Sequence, residues 1–119
     1  MAAMDADVRV WFNPACSKCR ELRGLLEERG IEAEYRLYLD EPPTVAELAA
    51  LVEKLGASPR TLVRAKDPAF VELDLAEAGE DRLLRAIAGH PALLERPIVE
   101  TGGRAVVARP AARGMELFD

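Results

Sequence analysis

The sequence predicts a single α/β domain built on a mixed four-stranded sheet, in the order β-α-β, helical insertion, β-β-α. Three observations predict this class. An alternating apolar strand pattern near the N-terminus gives way at once to helical spacing, more than fifty residues in the middle carry helix and loop signals, and two apolar runs near the end flank Gly102-Gly103. The chain has 119 residues, of which 50% are hydrophobic, so it suits one compact domain. We expect that domain to span residues 1–119, with the helical insertion at about 43–95.

The first three elements follow from periodicity and punctuation. Residues 8–12 alternate and are rich in β-formers, and Pro14 cannot extend a ladder. After Cys16 the apolar positions follow helical spacing, and Gly30 is expected to cap that helix. Apolar residues at 33, 35, 37 and 39 then alternate with polar ones or Tyr38, which predicts a second strand. The two strands should be parallel, joined by a right-handed crossover.

Helix-capping and helix-breaking residues in the middle of the chain predict a series of helices. Thr44 and Glu47 form a capping box after Pro42-Pro43, and Gly56 closes the helix that follows. Three further helical segments are predicted. Two begin at Ser58-Pro59 and at Asp67-Pro68, and the third covers Leu83 to Ile87.

The end of the chain predicts a hairpin and a last short helix. Residues 97–101 and 104–108 are apolar runs joined by Gly102-Gly103, the signature of a tight antiparallel hairpin. Arg109-Pro110 begins the last helix. This order of elements is that of a thioredoxin-like fold carrying a helical insertion.

Cys16 and Cys19, the two cysteines of the chain, lie where the first strand gives way to the helix, which points to redox or thiol chemistry. An ordinary cysteine with a pKa of ~8.5 is only about 3% ionised at pH 7. A helix N-terminus favours the anion, so we expect Cys16 to be mostly thiolate. Cysteines at i and i+3 can also reach the Cα separation of ~4.4–6.8 Å that a disulfide tolerates.

Composition excludes several classes of function. The net charge of −5 argues against a broad nucleic-acid surface, and no apolar run suits a signal peptide or a membrane span, so we expect a cytoplasmic protein. Two cysteines in a reducing compartment suit a catalytic pair better than a structural disulfide. A structural zinc site is not expected, because the chain offers one histidine, His90, and no second cysteine pair. His90 precedes a proline at a helix end and is expected to cap or pack.

The basic residues are thirteen arginines and three lysines. Arginine offers a forked set of donors that fits tetrahedral oxyanions. A GC-rich genome accounts for most of this excess, so only the positions of particular arginines carry a functional argument.

Five short motifs in a fixed order extend over nearly all of the chain. They are Asn13-Pro14-Ala15-Cys16 with Arg20, Tyr38-Leu39 before Pro42-Pro43, Leu62-Val63-Arg64, His90-Pro91 with Leu94 and Arg96-Pro97-Ile98-Val99, and Arg109-Pro110. In this order and spacing the chain resembles the arsenate reductase (ArsC) and Spx-like thioredoxin-fold family, in the branch of glutaredoxin-coupled arsenate reductases.

The resemblance implies a site and a reaction. Cys16 would attack arsenate, Arg64, Arg96 and Arg109 would cradle the oxyanion, and Pro97 would be held in cis beside the cysteine. Glutathione or Cys19 would then attack the Cys16 sulfur and release arsenite. No bound cofactor is implied, and glutathione would be a co-substrate, with glutaredoxin or thioredoxin as electron donor.

Two departures from the family pattern leave alternatives open. Phe12 stands where such reductases often have a histidine, so ionisation of Cys16 should depend on the helix terminus, Lys18, Arg20 and the arginine cradle. Cys19 completes a CxxC pair that Spx-like regulators also carry. The alternative function is therefore a redox-switched regulator, in which a Cys16–Cys19 disulfide alters binding to RNA polymerase. The arginine set favours the reductase, since a protein-binding switch needs no cations around its sulfur.

Overall fold

The computed structural model describes residues 8–119 and contains one mixed sheet of four strands. The strands and α-helices are β1 Val8–Phe12, α1 Ser17–Glu28, β2 Glu34–Leu37, α2 Val45–Leu55, α3 Pro68–Glu72, α4 Glu80–Gly89, β3 Ile98–Thr101 and β4 Arg104–Val107. The strand order is β2-β1-β3-β4: β1 pairs in parallel with β2 and antiparallel with β3, and β4 pairs antiparallel with β3 at one edge. Three 3₁₀ segments cover Pro59–Leu62, Pro91–Leu93 and Ala111–Phe118. The predicted α/β class and mixed sheet are confirmed.

Local capping signals set the helix boundaries in the middle of the chain. The N–H of Glu47 donates to Thr44 Oγ1 (3.0 Å), and the N–H of Thr44 donates to Glu47 Oε1 (2.9 Å), which completes the predicted capping box of α2. Gly56 ends α2 with a φ of +65°, a conformation that costs glycine little. The Ser58 and Asp67 side chains cap the two segments that begin with proline.

The sheet separates two apolar clusters, because successive side chains of a strand face opposite sides. Val10 and Phe12 of β1 pack with α1 and the C-terminal 3₁₀ segment, whereas Trp11 packs with the helices inserted between β2 and β3. On the α1 side, Gly114 lets the C-terminal segment approach closely, since a Cβ there would lie 2.7 Å from Leu22 Cδ1. Both cysteines belong to this α1-side cluster.

A buried ion pair fastens α2 to the sheet. Glu100, 8% exposed, accepts from the Trp11 indole N–H and from Lys54 Nζ, both at 2.7 Å. Both carboxylate oxygens of Glu100 therefore have a hydrogen-bond partner, which offsets the cost of burying the charge.

The end of the second strand differs from its prediction. The alternation over residues 33–39 predicts a strand that extends to Leu39, but β2 ends at Leu37, and the N–H groups of Asp40 and Glu41 donate to the Leu37 carbonyl. The turn therefore buries Tyr38 at 1% exposure and leaves Leu39 45% exposed. Alternation between faces holds only while the backbone stays extended.

Candidate active site

Cys16 lies at the N-terminus of α1, immediately beyond the carboxyl end of β1. Its N–H donates to the Asn13 carbonyl (2.9 Å), and its own carbonyl accepts from the N–H of Arg20 (3.1 Å), the first intrahelical bond. The Asn13 side chain accepts from the N–H of Ala15 (3.0 Å), which closes the turn. The turn thus fixes Cys16 as the N-cap residue, with φ −90° and ψ 123°, and its thiol faces the unpaired N–H groups of the first turn.

The surroundings of Cys16 favour the thiolate. Burial alone raises the pKa of this thiol, but hydrogen bonds from the Cys19 N–H, the Cys19 thiol, the Arg96 side chain and the Lys18 N–H together bring it below its ordinary value. The residue is buried, with 9% of its surface exposed. A lowered pKa is the property that makes a cysteine an effective nucleophile at neutral pH.

Cys19 has the opposite character. It is completely buried, and burial followed by the nearby Cys16 charge raises the pKa of its thiol to about 12. Its sulfur accepts from the Asn13 N–H (3.5 Å). Both cysteines are free. In this state Cys19 is therefore the protonated thiol of the pair, and its proximity is among the causes that lower the pKa of Cys16.

Arg96 links the cysteine to a basic cavity. Its side chain lies close enough to Cys16 to help lower the pKa of that thiol, and its Nε is buried with no hydrogen-bond partner in the part of the chain that the structure describes. The peptide bond between Arg96 and Pro97 is cis, as the family resemblance implied, and the Arg109–Pro110 bond is cis as well. Pro97 is buried directly before β3.

The three predicted arginines line one cavity of about 310 Å³. Arg64 donates to the Asp67 carboxylate (3.3 Å) and to the Ala92 carbonyl (3.2 Å), and Arg109 donates to the Arg96 carbonyl (2.9 Å). Among residues 8–119, Cys16 does not line this cavity. Arg96 lines the cavity and is also one of the residues that lower the pKa of Cys16.

A single β-bridge brings the segments of this cavity together. Val63 pairs with Leu94, and the N–H of Arg64 donates to the Leu93 carbonyl (2.8 Å). The bridge thereby joins the segment that carries Arg64 to the segment that carries Arg96.

Other residues of the site differ from the sequence-based expectations. Lys18 contributes its backbone N–H to the thiolate, while its ammonium lies 3.9 Å from Glu21. Arg20 donates to the Pro14 carbonyl (2.8 Å) and so braces the turn rather than the sulfur. Phe12 is buried and packs edge-on against Tyr35, with ring centroids 5.1 Å apart. The sequence positions of Lys18 and Arg20 do not determine the partners of their side chains, because carboxylates and backbone carbonyls can bind them as well as the thiolate can.

Three residues near the site were not predicted to belong to it. Lys66 and Glu95 line the arginine cavity, and Tyr38 lies close enough to Arg96 and both cysteines for their charges to affect it. Burial raises the pKa of Tyr38, so its hydroxyl stays neutral. The sequence held a signal for each, because Tyr38 is itself part of a family motif and Lys66 and Glu95 lie within two residues of Arg64 and Arg96.

Comparison with known proteins decides the family. The profile described as the ArsC family matches residues 11–116. The chain belongs to the ArsC family. An arsenate reductase of Neisseria meningitidis serogroup A is 52% identical over 107 residues, which cover 87% of this chain and 92% of that protein. An arsenate reductase of Escherichia coli K12 is 34% identical over 115 residues, covering 95% of this chain and 82% of that protein.

The same family relationship holds in three dimensions. A solved arsenate reductase from Vibrio cholerae superimposes with a TM-score of 0.88 at 40% identity, covering 92% of this chain and 95% of that one. This ArsC-family chain therefore has the thioredoxin-like fold that its sequence predicted. Nowhere in residues 8–119 do three or more His, Cys, Asp or Glu side chains gather so as to hold a metal ion, and no helix there is long and apolar enough to cross a membrane.

Proposed function

We propose that this protein is a thiol-dependent oxidoreductase that reduces arsenate to arsenite, with the Cys16 thiolate as nucleophile. The observation that carries the proposal is the cavity that Arg96 shares with Arg64 and Arg109, because the same Arg96 side chain also helps to lower the pKa of Cys16. Relatives that bear the name arsenate reductase support the choice of oxyanion.

The first step brings two anions together and needs fixed cations. Arsenate and the thiolate repel each other, and three guanidinium groups in a small cavity offset that repulsion while holding the oxyanion for attack. The buried Nε of Arg96 gains the partner it lacks when an oxyanion oxygen enters. The Cys16 sulfur forms a bond to arsenic, and one arsenate oxygen leaves as water after taking up two protons.

The second step transfers two electrons. A second thiolate attacks the Cys16 sulfur, a sulfur–sulfur bond forms, and the sulfur–arsenic bond breaks. Its electron pair stays on arsenic, which falls from arsenic(V) to arsenic(III) and departs as arsenite. The two sulfurs are thereby oxidised to a disulfide.

The second thiol is proposed to come from glutathione, with glutaredoxin restoring Cys16. Cys19 is completely buried, and the pKa of its thiol, raised to about 12 by burial and by Cys16, keeps it protonated at neutral pH. An external thiol has neither handicap. Thioredoxin remains the donor to be tested if Cys19 becomes the resolving thiol once Cys16 has lost its charge in the adduct.

The regulatory alternative is not favoured. A redox-switched adaptor of the Spx type would use a Cys16–Cys19 disulfide to alter binding to RNA polymerase. The arsenate reductases at 52% identity speak for catalysis, and the arginine cavity suits an oxyanion rather than a protein partner.

Arsenite release from the wild type, Cys16→Ser and Cys19→Ser tests the reaction and the donor together. Each variant is assayed with glutathione plus glutaredoxin and, separately, with thioredoxin and its reductase. We expect no release without Cys16 and nearly full release without Cys19 in the glutathione arm. Undiminished release from Cys16→Ser would end the proposal. Activity with thioredoxin that disappears in Cys19→Ser would assign the resolving role to Cys19.

A further inference from the structure

A second cavity, of about 540 Å³, opens beside the arginine cavity, and Glu95 and Arg109 line both. Its volume falls within the range of about 300–1,000 Å³ for small-molecule sites, and it offers more room than a tetrahedral oxyanion needs. We propose that this cleft binds the reductant, a small peptide thiol that carries carboxylates. This assignment rests on the proposed function, because it names the site from which the second thiol reaches Cys16.

The charges of the cleft suit such a ligand. Arg109 is exposed and donates one N–H to the Arg96 carbonyl, so its other donors remain open to solvent. Arg113 also lines the cleft, and its Nε lies 3.8 Å from Glu116 with both side chains more than half exposed, an ion pair of little energetic value. Two guanidinium groups on one wall therefore have donors for the carboxylates of a peptide.

Glu95 supplies the complementary charge. Its side chain is half-buried and makes no hydrogen bond or ion pair within residues 8–119. A carboxylate at the junction of the two cavities can accept the ammonium group of a peptide. Because Glu95 lines both cavities, the features that belong to the cleft alone are Arg113 and the edge of β4.

An open sheet edge gives the cleft a means of holding a peptide backbone. The lining includes Ala105 and Val107 of β4, the edge strand of the sheet. Thr101 and Arg104 close the two-residue turn and so form a hydrogen-bonded pair. Pairs alternate along an antiparallel ladder, so the N–H and C=O of Ala105 face the open edge. An extended peptide can pair there as an added strand.

The two cavities share Glu95 and Arg109, so a peptide in the cleft would place its thiol beside the proposed oxyanion site. A peptide held on Arg109 and Arg113 lies next to the arginine cavity, and Arg96 joins that cavity to Cys16. The thiolate of the bound peptide attacks the Cys16 sulfur and forms a mixed disulfide, and the electron pair of the breaking sulfur–arsenic bond reduces arsenic. A second thiol then attacks the mixed disulfide and releases Cys16 as thiolate.

Kinetics of matched arginine variants test the site. Arg113→Ala removes a guanidinium of the cleft, and Arg85→Ala removes an exposed one from α4, which lines a different cavity. We expect Arg113→Ala to raise the KM for glutathione about tenfold and to affect the KM for arsenate far less. Equal KM values for glutathione in the two variants would overturn the assignment.

Direct binding separates this inference from the proposed reaction. S-methylglutathione, which cannot react, is titrated into the protein without arsenate while backbone amide shifts are recorded by NMR. We expect shifts at Ala105 and Val107 and weaker binding to Arg113→Ala. If these appear although the protein never reduces arsenate, the site stands and the proposed function falls. Shifts confined to the first turn of α1, or no binding, would overturn the site even if arsenate is reduced.

Discussion

At the scale of single residues, the thiol of Cys19 affects the charge state of Cys16, in addition to its candidate role as the resolving thiol. A hydrogen bond from the Cys19 thiol is among the causes that lower the pKa of Cys16. Cys19→Ala removes the donor, whereas Cys19→Ser removes the thiol but keeps an O–H in its place. We expect the pKa of Cys16 to rise in the alanine variant, because the thiolate loses a hydrogen bond, and to stay near its wild-type value in the serine variant.

The rate of alkylation by iodoacetamide, followed against pH, measures this difference. A higher pKa means less thiolate at neutral pH, so Cys19→Ala should be alkylated severalfold more slowly than Cys19→Ser at pH 7. Equal rates would mean that the first-turn N–H groups and Arg96 alone set the charge state. Both variants lack the second thiol, so disulfide formation cannot account for a difference.

The positions of site residues were predictable where the motif fixes the backbone. The hydrogen-bond partners of long side chains were not, because such a side chain can reach several acceptors. The turn around Asn13 places Cys16 by backbone hydrogen bonds, which sequence spacing anticipates. Arg20 lies one turn further on, yet it binds the Pro14 carbonyl, because that acceptor is within its reach. Tyr38 is buried near the cysteines because β2 ends at Leu37, and the alternating pattern of the sequence does not show where that strand ends.

Among the elements, helix α2 carries a charge clamp whose contribution depends on pH. Arg36 donates to both carboxylate oxygens of Glu47, and this bond, with that from the Thr44 N–H, lowers the Glu47 pKa to about 2. The folded state therefore binds this proton more weakly than the unfolded chain does. Its stabilisation is fully present above the ordinary value near 4.5 and is lost as pH falls towards 2.

Glu47→Gln tests the clamp, because glutamine can keep the capping bond to Thr44 and removes only the charge. The pair is partly exposed, so we expect the free energy of unfolding to fall by about 1 kcal/mol at pH 7, with the loss shrinking between pH 4.5 and 2. Urea unfolding at pH 7 and pH 3 measures this. Glu53→Gln, an exposed position on the same helix, is the control. A loss that is equal at both pH values would remove the charge from the explanation.

The boundaries of the elements show how far local signals reach. Capping residues at 44, 58 and 67 and the turn at Gly102-Gly103 were predictable, since each satisfies backbone groups within a few residues. The bridge between Val63 and Leu94 was not, because a single pair of residues leaves no periodic pattern. That bridge nevertheless joins the segments that carry Arg64 and Arg96, so the arginine cavity depends on a pairing that the sequence does not reveal.

Across the whole molecule, topology concentrates positive charge in an acidic chain. The net charge is −5, yet Arg64, Lys66, Arg96 and Arg109 line one cavity with Glu95 as its only carboxylate among the residues described. These groups come from the segment after the first 3₁₀ turn, the approach to β3 and the exit from β4. Their convergence requires the complete sheet, so the cavity should exist only while the whole fold is intact.

Oxyanion binding should therefore stabilise the entire fold. Cys16→Ser keeps the cavity but removes the nucleophile, so arsenate binds without reacting. A ligand that binds only the folded state at 100 times its Kd adds about 2.7 kcal/mol to the free energy of unfolding. We expect the Tm of Cys16→Ser to rise with arsenate concentration at constant ionic strength, because unfolding must first release the ion from all three arginines.

The specific part of that rise separates the cavity from a general salt effect. Tetrahedral oxyanions also stabilise proteins by exclusion from their surfaces, which needs no binding site. Arg96→Ala in the Cys16→Ser background removes the guanidinium nearest the sulfur, whereas Arg85→Ala removes one on α4. If the cavity binds arsenate, the Tm of the Arg85 variant still rises and that of the Arg96 variant rises much less. Equal rises in the two would leave exclusion as the whole cause, because both variants lose one positive charge and only one loses the site.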